Sequence, residues 1–206
     1  MPKITLSYPD NREPAAFTQG ELGWLPWLEP FLVEELTETH WAGLVDASRA
    51  KSPYFLLLAR DPDVLQARTK TDKDIFYNTS SGLPRAEREL AATATSRANG
   101  CIFCASVHSR FATQYSKRKD DVQRLLDEGV GTDIDRRWNA LIAASVALTN
   151  TPIAFDHRQV EALRAAGLDD LEIVDVINGA AFFNWANRLM LSLGEPTPPA
   201  KARAVG

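Results

Sequence analysis

Cysteine is scarce in this 206-residue chain, which holds only two, and both fall in one short run at Cys101 and Cys104. A disulfide between them would close a loop of only about four residues and constrain little of the unfolded chain, so a structural staple accounts poorly for the pair. Long apolar runs are lacking too. The longest, Tyr54 to Ala59, falls far short of the roughly 20 residues of a membrane span. Met1 to Pro14 has polar residues and prolines where a secretory leader needs an apolar stretch. A cytoplasmic protein without a membrane partner is the expectation. Nor is there an excess of positive charge: 23 basic residues against 27 acidic give a formal charge of −4, which argues against nucleic acid as a partner. The one basic run, Lys117-Arg118-Lys119, is followed at once by Asp120 and Asp121 and reads as solvated surface. Low-complexity tracts and internal repeats are absent, and period-two alternation is confined to Ile4 to Tyr8.

What the chain does have is helical punctuation. With 45% hydrophobic residues, it can bury a sizeable core and is most simply one domain over residues 1–206. Its fold class is expected to be all-α. Asp61-Pro62 reads as an N-cap with proline in the first turn, leading a helix to about Asn78. Pro84 opens a second, Arg85 to Asn99, stopped by Gly100. The cysteine helix follows from about 101 to 116, then a short helix from Asp120 to Glu128 closed by Gly129. Trp138, Leu141, Ile142, Ser145, Val146 and Thr149 recur at three- and four-residue steps within a helix expected over Arg136 to Asn150. Asp156 with Gln159 and Asp169 with Glu172 resemble capping boxes for helices of about 157–166 and 170–193. Residues 1–35 differ: Trp24, Trp27 and Phe31, with Pro14, Pro26 and Pro30 among them, make an irregular arm that must pack on something, either its own domain or a neighbouring subunit. The tail, Pro196 to Gly206, is expected to be loose.

The run Cys101-Ile102-Phe103-Cys104-Ala105-Ser106-Val107-His108 carries the chemistry. Residues three, four and seven apart share a helix face, so both sulfurs and the imidazole line up. Asn99-Gly100 breaks the chain just before, which puts Cys101 in a first helical turn, where unpaired amides and the dipole favour a thiolate. His108 can act on Cys104 as base or charged partner. Two rival readings are weaker. Chance pairing of two core cysteines at this spacing beside a histidine is improbable. A zinc site would need His40 or His157 as its fourth ligand, and neither has ligand spacing to the others. No metal and no cofactor are therefore expected. His40 and His157 read as surface or capping residues; Asn184 and Asn187, polar on an apolar helix, read as bonds across a helix interface or as lining of the cysteine pocket.

Arg85-Ala86-Glu87-Arg88-Glu89-Leu90, with twelve residues from Glu89 to Cys101, completes a recognisable pattern. It resembles the alkylhydroperoxidase D-like proteins of the carboxymuconolactone decarboxylase superfamily, in their peroxidase-related branch. The resemblance is strongest over residues 81–111 and extends more loosely to Ser52-Pro53-Tyr54-Phe55 and to Phe183-Asn184-Trp185-Ala186-Asn187-Arg188. It implies a multi-helix bundle with a CxxC-bearing helix, a core over about residues 81–194, and a homo-oligomer, whether dimer, trimer or hexamer. Carried over by position, the family's catalytic set falls on Glu89, Cys101, Cys104 and His108, with Glu89 expected to pass protons through His108 or a water. The second cysteine attacks peroxide in such proteins and the first resolves the product as a disulfide. One departure stands out: the family histidine just before the second cysteine is Phe103 here.

These residues lead to a cysteine-based alkyl hydroperoxide reductase, whose partners would be a hydroperoxide and a thiol reductant or redox protein. Three alternatives stay open: a thiol-disulfide oxidoreductase, a lactone decarboxylase-like enzyme, against which the intact CxxC argues, and a helical scaffold without reactive thiols.

Overall fold

The computed structural model describes residues 5–78 and 80–199. Along them the chain forms β1 (Gly23–Pro26), α1 (Glu38–Leu44), α2 (Pro53–Leu58), α3 (Pro62–Tyr77), α4 (Arg85–Ala98), α5 (Ile102–Ser116), α6 (Lys119–Glu128), α7 (Arg136–Thr149), α8 (His157–Ala165), α9 (Asp170–Leu193) and β2 (Gly194–Thr197), with short 3-10 turns at Val33–Glu35 and Ala47–Lys51. The fold is all-α, as expected, with one small strand pair added.

The central element is α4. Every residue from Glu87 to Ser96 is buried, and most of them are small (Ala91, Ala92, Thr93, Ala94, Thr95, Ser96). Small side chains let neighbouring helix axes approach closely, and α5, α7 and α9 pack around α4 on different sides. One apolar cluster, including Leu90, Leu125, Leu141, Leu163 and Val176, joins α4 to the helices from α6 to α9. A second, of Trp24, Tyr54, Phe76, Phe182, Phe183 and Met190, surrounds the two cysteines. The loop before α4 is fastened by a buried arginine: Arg88 donates to the carbonyls of Ile75, Ser81 and Leu83 and pairs with Asp175 at 3.0 Å. Asp156 and Asp169 each make the capping box read from the sequence.

The arm and the tail differ in part from expectation. The described arm is irregular apart from a 3-10 turn and Gly23–Pro26, which pairs antiparallel with Gly194–Thr197, Gly23 opposite Thr197, so Pro196 and Thr197 of the expected loose tail are held in a strand. The extended backbone beyond α9 has hydrogen-bonding groups to satisfy, and the arm supplies their partners. Trp24 is buried edge-on to Tyr54, ring centroids 5.4 Å apart, and Trp27 Nε1 donates to Glu195. Thr113 donates to the Gln19 amide oxygen, and Arg97 lies over Phe17. The arm thus covers its own chain. The alternation at Ile4 to Tyr8 forms no strand in its described part; Leu6 gives one amide bond to Trp27. Residues 1–4 and 200–206 lie outside the described residues.

Gly194 sits where a Cβ would run into the Leu25 carbonyl and the Trp24 ring. Gly194→Ala is expected to lower stability by about 1–3 kcal/mol, the usual range for overpacking, through loosening of the strand pair. Denaturant unfolding compared with wild type checks this, and an unchanged midpoint would mean that the arm does not hold the end of α9.

Candidate active site

The site starts with a turn. Gly100 takes a left-handed backbone (φ 76°) directly after α4, and the amides of Gly100 and Cys101 bond back to the carbonyls of Arg97 and Ser96. This is a Schellman ending, in which the left-handed position favours glycine. It delivers Cys101 as the N-cap of α5, with Cys104 in the first turn. The sequence placed Cys101 in that turn, and the structure sets it at the boundary. The sulfur-bearing residues lie 3.0 Å apart and are unbridged. Both are buried.

Their environments differ. Hydrogen bonding from the Cys104 thiol, with smaller contributions from the Cys104 amide and Asn187, pulls the Cys101 pKa below the ordinary thiol value despite burial. Cys104, donating to that sulfur in a fully buried position, is pushed well above the ordinary value, with Asn187 and the Arg68 charge working against the rise. Negative charge therefore settles first on Cys101, and the proton between the sulfurs belongs to Cys104.

Asn187 on α9 is positioned for this task. It is fully buried, donates to Ser96 Oγ and accepts from Asn99 Nδ2, which also donates to Asn184. Asn184 in turn donates to Thr149. The two asparagines thus bond across helix interfaces, and Asn187 also faces the cysteines.

His108 lies one turn beyond Cys104 on α5. Among the described residues the hydrogen bond His108 makes runs from Nδ1 to Glu89 Oε2, 2.5 Å away, which joins the two groups expected to form a proton relay. The carboxylate captures that edge of the ring, and Phe183, at 4.0 Å between centroids, packs on it. Glu89 is fully buried on α4, with its other oxygen held by Arg85 Nε at 2.7 Å. An uncompensated carboxylate would be costly there; Arg85 and His108 supply the compensation.

A cavity of about 260 Å³ joins these parts. Its wall includes Cys104, His108 and Glu89, aromatic rings from Phe55, Phe76, Phe103 and Phe111, and two residues the sequence reading did not single out, Tyr54 on α2 and Arg68 on α3. A helical count would have flagged Arg68, which shares the inward face of α3 with Leu65, Thr69 and Phe76. Cys101 opens instead on a small separate pocket beside Trp24. All four residues expected to act are thus close together, with Cys104 as the sulfur on the 260 Å³ cavity. His40 bonds to Thr37 at the start of α1, and His157 is exposed on the first turn of α8. Among the described residues, no cluster of three or more histidine, cysteine, aspartate or glutamate side chains is arranged to hold a metal ion.

Comparison with known proteins bears on the fold. Residues 62–144 match the carboxymuconolactone decarboxylase family. No curated protein matches the chain in sequence. Among solved structures, an uncharacterized peroxidase-related protein from Ralstonia eutropha JMP134 with an alkylhydroperoxidase D core superposes with a TM-score of 0.69 at 24% identity, covering 95% of each chain. A peroxidase-related protein from Silicibacter sp. TM1040 gives 0.67 at 20% identity, covering 95% of this chain and 96% of that one. The debrominase Bmp8, in a cysteine-to-alanine variant complexed with 2,3,4-tribromopyrrole, gives 0.68 at 17%, covering 95% and 97%. At these identities the likeness is one of fold.

The unequal thiols lead to a direct expectation. Titrated through thiolate ultraviolet absorbance, the reduced protein should ionise first at Cys101, below the ordinary value of about 8.5. Cys104→Ala removes the thiol that donates to Cys101 and should raise that first pKa; Cys101→Ala should bring the Cys104 value down. An unmoved first ionisation in Cys104→Ala would contradict the contact.

Proposed function

We propose that the chain, whose residues 62–144 match the carboxymuconolactone decarboxylase family, is a cysteine-based peroxidase acting on organic hydroperoxides. The observation that carries the reading is the position of Cys104, which touches Cys101 on one side and faces an apolar cavity containing His108 and Glu89 on the other.

In this reading the hydroperoxide enters with its organic part among the aromatic rings. The proton on Cys104 is lost and its sulfur attacks the distal peroxide oxygen. A sulfur–oxygen bond forms as the oxygen–oxygen bond breaks, so Cys104 becomes a sulfenic acid and the remaining oxygen leaves as an alcohol. Cys101, whose surroundings favour the thiolate, attacks the Cys104 sulfur and expels the second oxygen as water. Two thiol protons and two electrons account for both products, and the cysteines finish as a disulfide, which a thiol reductant reopens. His108, held through Nδ1 by Glu89, has its other ring nitrogen free to pass protons to departing oxygen. Phe103, where relatives have a histidine, leaves this pair as the one relay on the cavity wall.

The aromatic lining supports a second reading. The debrominase of similar fold binds a brominated pyrrole, and the same cysteine pair can take a halogen from an aromatic ring, leaving hydrogen on the ring and releasing halide as the disulfide forms. Halide release from a bromoaromatic without consumption of hydroperoxide would select it. Faster reduction of disulfides than of any hydroperoxide would instead select a thiol-disulfide oxidoreductase.

Under peroxidase assay, Cys104→Ser should abolish turnover, whereas Cys101→Ser should stop after one chemical event with a sulfenic acid that dimedone traps. Glu89→Gln keeps the shape of the buried side chain and should cut kcat by about 10²–10⁴-fold, the usual weight of a general acid-base group. Substantial turnover in Cys104→Ser would remove the mechanism.

A further inference from the structure

Two arginines among the described residues are deeply buried, and they are treated differently. Arg88 is satisfied by three carbonyls and Asp175. Arg68 is only 7% exposed, and its Nε and Nη1 are buried without a hydrogen-bond partner. Its guanidinium instead lies 5.2–5.7 Å from the centroids of the Phe182, Phe55 and Tyr54 rings. Those ring faces offset part of the charge. They accept none of the N–H groups, which project in the guanidinium plane. The Tyr54 hydroxyl is likewise buried without a partner.

Both side chains line the large cavity together with Cys104. The carboxylates on the same wall are already engaged, Asp72 by Arg49 at 2.8 Å and Glu89 by Arg85 and His108. The Tyr54 phenol is pushed up to about 12, chiefly by burial, so at neutral pH it is a donor. Two unsatisfied donors, one permanently cationic, beside a sulfur that would react with a peroxide call for an acceptor carrying negative charge.

We propose that the Arg68 guanidinium and the Tyr54 hydroxyl form an oxyanion site beside Cys104, one that binds a small apolar carboxylate and, during peroxide reduction, seats the alkoxide leaving as the oxygen–oxygen bond breaks. The second role rests on the peroxidase reading; the first does not. When Cys104 attacks the distal oxygen, the electron pair of the broken bond goes to the organic oxygen. Arg68 and Tyr54 hold that charge until the proton passed by His108 converts it to the alcohol. The site is built before substrate arrives, so little reorganisation accompanies the charge shift, which is the condition for strong electrostatic stabilisation. The same guanidinium lowers the cost of a thiolate on Cys104, the sulfur whose surroundings otherwise oppose one.

The test uses benzoate as the anion and cumene hydroperoxide as the oxidant, with the full-length reduced protein as wild type, Arg68→Met, Arg68→Lys and Tyr54→Phe. Calorimetry should show benzoate bound by wild type and weakened at least 10-fold in Arg68→Met, with partial recovery in Arg68→Lys. Stopped-flow oxidation at equal thiolate fraction should be about 10²–10³-fold slower in Arg68→Met, the range for losing one oxyanion donor, and slowed to a smaller degree in Tyr54→Phe. If wild type fails to bind benzoate, or binds it no better than Arg68→Met, the oxyanion site is overturned. Should Arg68→Met not fold, the same comparison is made with Tyr54→Phe. Benzoate binding lost in the variants, with no reaction between wild type and hydroperoxide, supports the site and overturns the peroxidase reading. Wild-type rates in all variants overturn the leaving-group role.

Discussion

The close packing of α4 against α5 is the constraint on which the rest depends. A left-handed glycine at Gly100 turns the chain back on itself, and two helices leaving a tight turn in opposite directions bring together residues far apart in sequence. Glu89 thereby meets His108 across the helix pair, while the turn itself presents the two sulfurs. The buried run of small residues on α4 is what lets α5 come so near.

The polar groups act on the two thiols unequally. The Cys104 thiol and amide favour charge on Cys101, Arg68 favours it on Cys104, which lines the cavity, and Asn187 favours it on both. The Glu89–His108 pair lies on the same wall with its own arginine, so the carboxylate is compensated without drawing on Arg68. Separate partners keep the two cationic groups from competing for one anion.

Much of the fold could be read in advance because its signals are local. Proline at the start of α3, glycine beyond α4 and α6, and the aspartates that cap α8 and α9 are each decided by a few neighbouring residues, and the helices end within one or two residues of those marks. Glu89, Cys101, Cys104 and His108 were legible from spacing and family pattern, and the imidazole is bonded to Glu89, its expected relay partner. What the sequence hid was long-range. Nothing near Gly23–Pro26 marks Gly194–Thr197 as its partner, so arm and tail read as irregular. Tyr54 and Arg68 come from helices outside the motif, and an arginine seldom reads as interior. Only its place with Leu65 and Phe76 on one face of α3 gave it away.

The central claim is that a hydroperoxide oxidises the two cysteines to each other. Stopped-flow titration of the fully reduced protein with an organic hydroperoxide, with thiol counting and peptide mass spectrometry, tests it most directly. The account predicts rapid loss of both thiols, one alcohol formed per peroxide, and a disulfide linking Cys101 to Cys104. Thiols that stay reduced in the presence of excess hydroperoxide would contradict it.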